Sequence, residues 1–171
     1  MSDWLDDPAA CPDDVTMRLI SVFLTILLLP GLAQAGDVAV SELRRQALAG
    51  DAWAQLNLGA AYDHGLSGLR ADPVKAVSWY RKAAKQGLDK AQFNLAHCLA
   101  TGHGAPQDYV ESRSWMRRAA EQGMADAQFL LGVMLAEGLG GEANRKQARG
   151  WLERAVKGGN PDAAGYLKNS L

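Results

Sequence analysis

Cysteine is scarce: the 171 residues hold two, Cys11 and Cys98. Histidine is nearly as rare, with His64, His97 and His103, and no two of them lie four residues apart. A zinc site needs about four clustered N, S or O ligands, so no metal is expected. The glycine-rich stretches Gly102–Pro106 and Gly138–Gly141 lack a Gly-Lys-Ser/Thr and follow no strand pattern; they read as helix-connecting loops, and no cofactor is expected. Ser78, Ser112 and Ser114 stand in no G-x-S-x-G frame, which leaves no nucleophile motif. Basic runs interleaved with aromatics are missing, so nucleic acid is not an expected partner. The longest apolar run, Leu19–Leu29, is 11 residues, short of the ~20 a membrane span needs.

That run has another reading. Met17-Arg18 gives it a charged start, Pro30-Gly31 ends it, and Ala33-Gln34-Ala35 supplies the small residues of a cleavage site. Residues 17–35 are therefore expected to be a secretory signal cut after Ala35, placing the chain in the periplasm or outside the cell. No cysteine follows the small residues, so no lipid anchor is expected. Residues 1–16 carry five aspartates and no basic residue, opposite to a signal's opening, and read as an upstream extension before a start at Met17. Without residues 1–35 the chain keeps 17 basic and 14 acidic residues and only Cys98, so no internal disulfide can form. Cys98 shares its repeat slot with Ala61 and Met134 and reads as a buried apolar residue.

What the chain has in quantity is self-similarity. Ala54-Gln55-Leu56-Asn57-Leu58-Gly59 returns as Ala91-Gln92-Phe93-Asn94-Leu95-Ala96 and as Ala127-Gln128-Phe129-Leu130-Leu131-Gly132, at offsets of 37 and 36. Trp79, Trp115 and Trp151 keep the same beat, as do Gly50, Gly87, Gly123 and Gly159. A fixed period of this size means a stacked repeat array. The first helix of each unit, helix A, carries Ala54, Leu58, Gly59 and Tyr62 on one face, then Ala91, Leu95, Ala96 and Leu99, then Ala127, Leu131, Gly132 and Leu135. Gly59 and Gly132, poor helix formers, mark a close crossing, and Gly65, Gly102 and Gly138 end helix A. Helix B follows, with Ala76, Trp79, Tyr80, Ala83 and Ala84 on its inner face and Asp72-Pro73 at its start. Trp79, Trp115 and Trp151, with Ala83, Ala119 and Ala155, read as scaffold. The units span about 50–86, 87–122 and 123–158. Half units at about 38–49 and 160–169 cover the ends of a solenoid occupying residues 36–171.

The pattern A-x-x-x-L-G-x-x-Y-x-x-G, a variable loop, then D-x-x-K-A-x-x-W-x-x-x-A-A-x-x-G resembles the Sel-1-like repeat, a relative of the tetratricopeptide repeat. Unit one matches at Ala54, Leu58, Gly59, Tyr62, Gly65, Asp72, Lys75, Ala76, Trp79, Ala83, Ala84 and Gly87. Units two and three are looser, with Leu99 and Leu135 for the tyrosine. The resemblance covers about residues 50–171. It implies an all-α, right-handed superhelix of antiparallel helix pairs used for protein–protein contact, with exported bacterial members acting as adaptors or regulators of envelope processes. A cysteine-rich branch is linked to penicillin binding; the cysteine pairs of that branch are missing here, so an enzyme of that kind is the weaker alternative, beside a self-assembling module.

In superhelices of this type helix A lines the concave side. Its outward stripe holds Trp53, Asn57, Ala60 and His64, then Lys90, Asn94, His97 and Thr101, then Asp126, Leu130, Val133 and Glu137. From it Trp53, Asn57, His64, Lys90, Asn94, His97, Asp126 and Leu130 are the candidate partner-binding residues. Trp53 and Leu130 would be apolar anchors, and Asn57 and Asn94 would hold an extended backbone. The competing reading leaves these positions merely solvated, with Trp53 packed on the N-terminal helix.

Overall fold

The computed structural model describes residues 31–170; the extension and most of the expected signal lie outside them. Among the described residues there are eight α-helices and no strand: α1 Gly31–Leu48, α2 Ala52–His64, α3 Pro73–Lys85, α4 Asp89–Thr101, α5 Tyr109–Glu121, α6 Ala125–Glu137, α7 Arg145–Lys157 and α8 Ala163–Ser170. Residues from Ala39 onward form one compact unit, in which α2–α3, α4–α5 and α6–α7 are the three hairpins. Helix α1 begins at Gly31, earlier than the expected 38.

The hairpins share one set of end signals. Asp72, Asp108 and Asn144, 36 residues apart, cap α3, α5 and α7 by accepting from the backbone N–H of Lys75, Glu111 and Gln147 at 3.0, 2.9 and 2.9 Å. Each satisfies one of the donors a helix start leaves unpaired. Gly65, Gly102 and Gly138 terminate α2, α4 and α6 in the left-handed conformation, their N–H groups returning to the carbonyls of Ala61, Cys98 and Met134. The core runs along the stack through Tyr80, Leu95, Met116, Leu131 and Leu135, each at most 2% exposed. Between units one and two, Arg81 pairs with Glu111, whose carboxylate also accepts from Trp115 Nε1 at 3.1 Å. The guanidinium holds the Glu111 carboxyl below its usual range.

The loops after helix A are keyed to the preceding unit. Ser67, Gly104 and Gly140 occupy equivalent slots and all have positive φ, at 55, 75 and 73°. A Cβ at Gly104 would overlap the Pro73 carbonyl at the start of α3, and one at Gly140 would overlap the Tyr109 carbonyl at the start of α5. Units two and three therefore require glycine there. Gly68, by contrast, has φ 78° but nothing within 4 Å of its missing Cβ.

Gly68→Ala should cost only the left-handed backbone penalty, about 1 kcal/mol. Gly104→Ala adds a collision with backbone and should cost at least about twice as much. Chemical denaturation of the two variants against the parent chain checks this; equal losses would mean the loop shifts freely away from α3.

Candidate functional site

The A helices α2, α4 and α6 each contribute side chains to one open surface. Buried between neighbours are Ala54, Leu58, Gly59, Ala91, Leu95, Ala127, Leu131 and Gly132, with Ala83, Ala119 and Ala155 on the B helices. Tyr62 is half-buried, with Arg44 donating to its hydroxyl at 3.4 Å. Trp115 is buried, whereas Trp79 and Trp151 keep part of their surface. Each of the three tryptophans is covered by a cation three residues on: Lys82 at 3.8 Å, Arg118 at 4.4 Å and Arg154 at 4.6 Å from the ring centroids. Stacking of this kind shields an indole without removing its neighbour's charge from water.

The candidate stripe is open to solvent. Asn57, His64, Lys90, His97 and Asp126 are exposed, Asn94 and Leu130 half-buried, and Trp53 is 53% exposed. The structure separates this stripe into two parts. His64, Asn94, His97 and Leu130 line one groove of about 1000 Å³, together with Asp63, Tyr80, Phe93, Cys98, Thr101, Gly102 and His103. Trp53, Asn57, Lys90 and Asp126 are not among its lining residues. Lys90 Nζ instead sits 5.7 Å from the Trp53 ring centroid, and the Asp126 carboxylate accepts from Asn160 Nδ2 at 2.8 Å. Trp53 and Leu130, paired as anchors in the sequence reading, do not meet in one cavity.

The groove contains a polar cluster that the stripe does not include. Asp63 Oδ1 lies 2.7 Å from His103 Nε2, and Asp63 Oδ2 accepts from the Tyr80 hydroxyl at 3.2 Å. Tyr80 is 1% exposed; burial, with the Asp63 carboxylate beside it, raises its pKa. These three positions are where the repeat breaks its own pattern. The slot of Asp63 is Ala100 and Ala136 in the other units, that of Tyr80 is Met116 and Leu152, and that of His103 is Leu66 and Leu139. The signal was a departure from the period, and a search for what recurs passes over it.

Cys98 forms part of the wall at 3% exposure. Burial, reinforced by the Asp63 carboxylate, pushes its thiol up to about 11 from 9.0. At neutral pH it is protonated, which removes its nucleophilic form. Among the described residues no group of three or more His, Cys, Asp or Glu is arranged to hold a metal ion.

A model of the Sel1 repeat matches residues 54–88, 89–124 and 125–160. A Sel1 repeat protein of Oxalobacter formigenes superimposes with a TM-score of 0.70 and 36% identity over 77% of this chain and 98% of that one. A protective antigen of uropathogenic Escherichia coli with the same repeat fold gives 0.71 and 36%, over 73% of this chain and 27% of that one. Cysteine-rich protein B of Helicobacter pylori, at 19% identity and 0.60 over 79% of this chain and 96% of its own, shares the fold alone. In sequence, 59 residues (34% of this chain) are 39% identical to chitin synthase regulatory factor 3 of Schizosaccharomyces pombe, and 66 residues (39%) are 39% identical to an F-box protein of Arabidopsis thaliana. The matched parts make up 6% and 18% of those two curated relatives.

The raised thiol fixes a pH dependence. A group whose folded pKa is raised gives stability that is present below its unfolded value and lost as pH climbs to the folded one. The Cys98 contribution, on the order of 2 kcal/mol, is therefore expected to be intact below pH 9.0 and to disappear by pH about 11. Cys98→Ala, which copies Ala61, should flatten that part of the alkaline stability profile, leaving the decline due to Tyr80. Denaturant melts at stepped pH measure it, and an unchanged profile would refute the assignment.

Proposed function

Since the chain belongs to the Sel1 repeat family, whose helical arrays serve protein–protein contact, we propose that it is an exported, non-enzymatic adaptor or regulator of an envelope process that holds a segment of a partner protein on its helix A surface. One observation carries the reading: the A helices, with a residue of α3 and the loop after α4, enclose an open groove of about 1000 Å³ with an apolar floor of Phe93 and Leu130 and polar walls of Asn94 and His97. A groove of this size on a rigid solenoid suits an extended peptide or one turn of helix better than a whole domain. The fungal relative named as a regulatory factor fits a regulatory role.

Export rests on residues 17–35, which read as a cleavable signal; among the described residues no helix is long and apolar enough to cross a membrane. An enzyme of the cysteine-rich type is disfavoured by the buried, protonated Cys98 and by the lack of cysteine pairs. Self-assembly through the solenoid edges is the remaining reading, and light scattering on residues 36–171 separates it.

The deciding experiment is in-cell crosslinking of the full chain with mass spectrometry of what it holds, alongside its fractionation. The expected result is one dominant envelope protein, captured from the periplasmic fraction. The triple variant Asn94→Ala, His97→Ala, Leu130→Ala should lose that protein while its folding stability changes by no more than about 1 kcal/mol. Normal capture by this variant would remove the groove from the proposal.

A further inference from the structure

The histidines of this chain do not scatter. His64, His97 and His103 are the only three in the sequence, and all line the same groove. Imidazole is the side chain that gains or loses charge between about pH 5 and 8. The groove wall has one carboxylate, Asp63, whose side chain is 15% exposed and already engaged by His103 and the Tyr80 hydroxyl. The exposed rings of His64 and His97 have neither a hydrogen bond nor an ion pair among the described residues.

Asp63 is the carboxylate among the lining residues, and Glu137 and Asp126 are not among them. From α2 the groove receives Asp63 and His64; from α3, Tyr80; from α4, His97 and Cys98; from α6, only Leu130. Glu137 at the end of α6 accepts from Tyr166 at 3.2 Å, and Asp126 at its start is held by Asn160. The groove thus sets three imidazoles and one carboxylate beside the apolar side chains of Phe93 and Leu130.

We propose that this groove recognises an acidic peptide segment of its partner, a carboxylate-bearing residue flanked by an apolar side chain, and that it holds this segment more tightly as pH falls. The carboxylate pairs with the rings of His64 and His97, and the apolar neighbour rests on Phe93 and Leu130. Charge complementarity selects the occupant: in the protonated groove a basic segment is repelled and an uncharged one gains nothing from the imidazoles. The inference rests on the partner-binding reading above and adds the chemistry and regulation of the site.

The test uses a display library of random twelve-residue peptides, panned on the folded chain at about pH 5.5 and eluted at about pH 8. Eluted peptides are expected to be enriched in Asp or Glu next to Leu, Ile or Phe. A synthetic peptide of the commonest sequence should bind at least about tenfold more tightly at the lower pH. Its Asp/Glu-to-Asn/Gln counterpart should lose that pH dependence, as should the His64→Asn, His97→Asn variant, in which both positions stay polar and exposed. Enrichment in basic residues, no enrichment, or a pH dependence that survives the double variant would each overturn the proposal. The in-cell crosslinking, run at both pH values, separates the two levels: a partner lost with the groove variant but captured equally at both pH values sinks this inference alone, and a partner still captured by the groove variant sinks both.

Discussion

Two of the three hairpins close where a side chain is missing. A Cβ on Gly59 would stand 2.7 Å from the Tyr80 ring, and one on Gly132 would stand 2.6 Å from Leu152 Cγ. The backbones are near at the same points, with the Ala76 and Ala148 carbonyls 3.4 and 3.3 Å from those Cβ positions. Unit two tolerates Ala96 because the opposing side chain is the flexible Met116, and there Ser112 donates to the Ala96 carbonyl at 2.7 Å. The glycine costs helix propensity of up to about 1 kcal/mol, offset by close packing in a fully buried seam. In unit one this contact also builds the groove. Only with Gly59 empty can the Tyr80 ring lie across α2 and deliver its hydroxyl to Asp63.

Hairpins are then joined by amides. Gln55, Gln92 and Gln128 are 4–8% exposed, a costly place for a carboxamide without partners. Their Nε2 groups donate to the carbonyls of Ala47, Ala84 and Ala120 at 3.0, 3.3 and 3.1 Å, which lie in the last turns of the preceding helices, where carbonyls lack partners. Gln86 and Gln122 complete the clamp, donating to Gln55 Oε1 and Gln92 Oε1 at 2.8 Å each. In unit three the matching position is Gly158, whose Cβ would fall 2.8 Å from that of Ala125. The clamp ends there, and Asn160 takes over by holding Asp126 and capping the start of α8 through Ala163 N–H at 3.0 Å.

The architecture was legible because its determinants recur. The alanine, leucine and glycine slots of helix A, the glycine stops and the tryptophan beat each appear three times, so chance resemblance at one unit is corrected by the others. The glutamines recurred as well, yet periodicity marks a position without saying what its polar atoms bond to; the preceding helix end had to be in place first. The stripe calculation put His64, Asn94, His97 and Leu130 on one open face because 100° per residue holds along each straight helix. It missed Asp63, Tyr80 and His103 because they come from the helix flank, the other helix of the pair and the following loop, which only the closed hairpin and the Gly104 contact with α3 bring together.

A repeat protein has two kinds of position, and the groove separates them. Slots between neighbouring helices are held to one size by the same geometry in every unit, so the sequence there repeats. A side chain at the groove is not held to one size by the helix crossings and differs from unit to unit, as Asp63 in place of Ala100 and Ala136, or His103 in place of Leu66 and Leu139, shows. Tyr80 belongs to both kinds: its ring fills the core slot of Met116 and Leu152, and its hydroxyl reaches the groove. A polar cluster assembled from such departures places a carboxylate, a phenol and an imidazole on one wall of a groove, and does so without disturbing the alanine and glycine crossings that hold the array together.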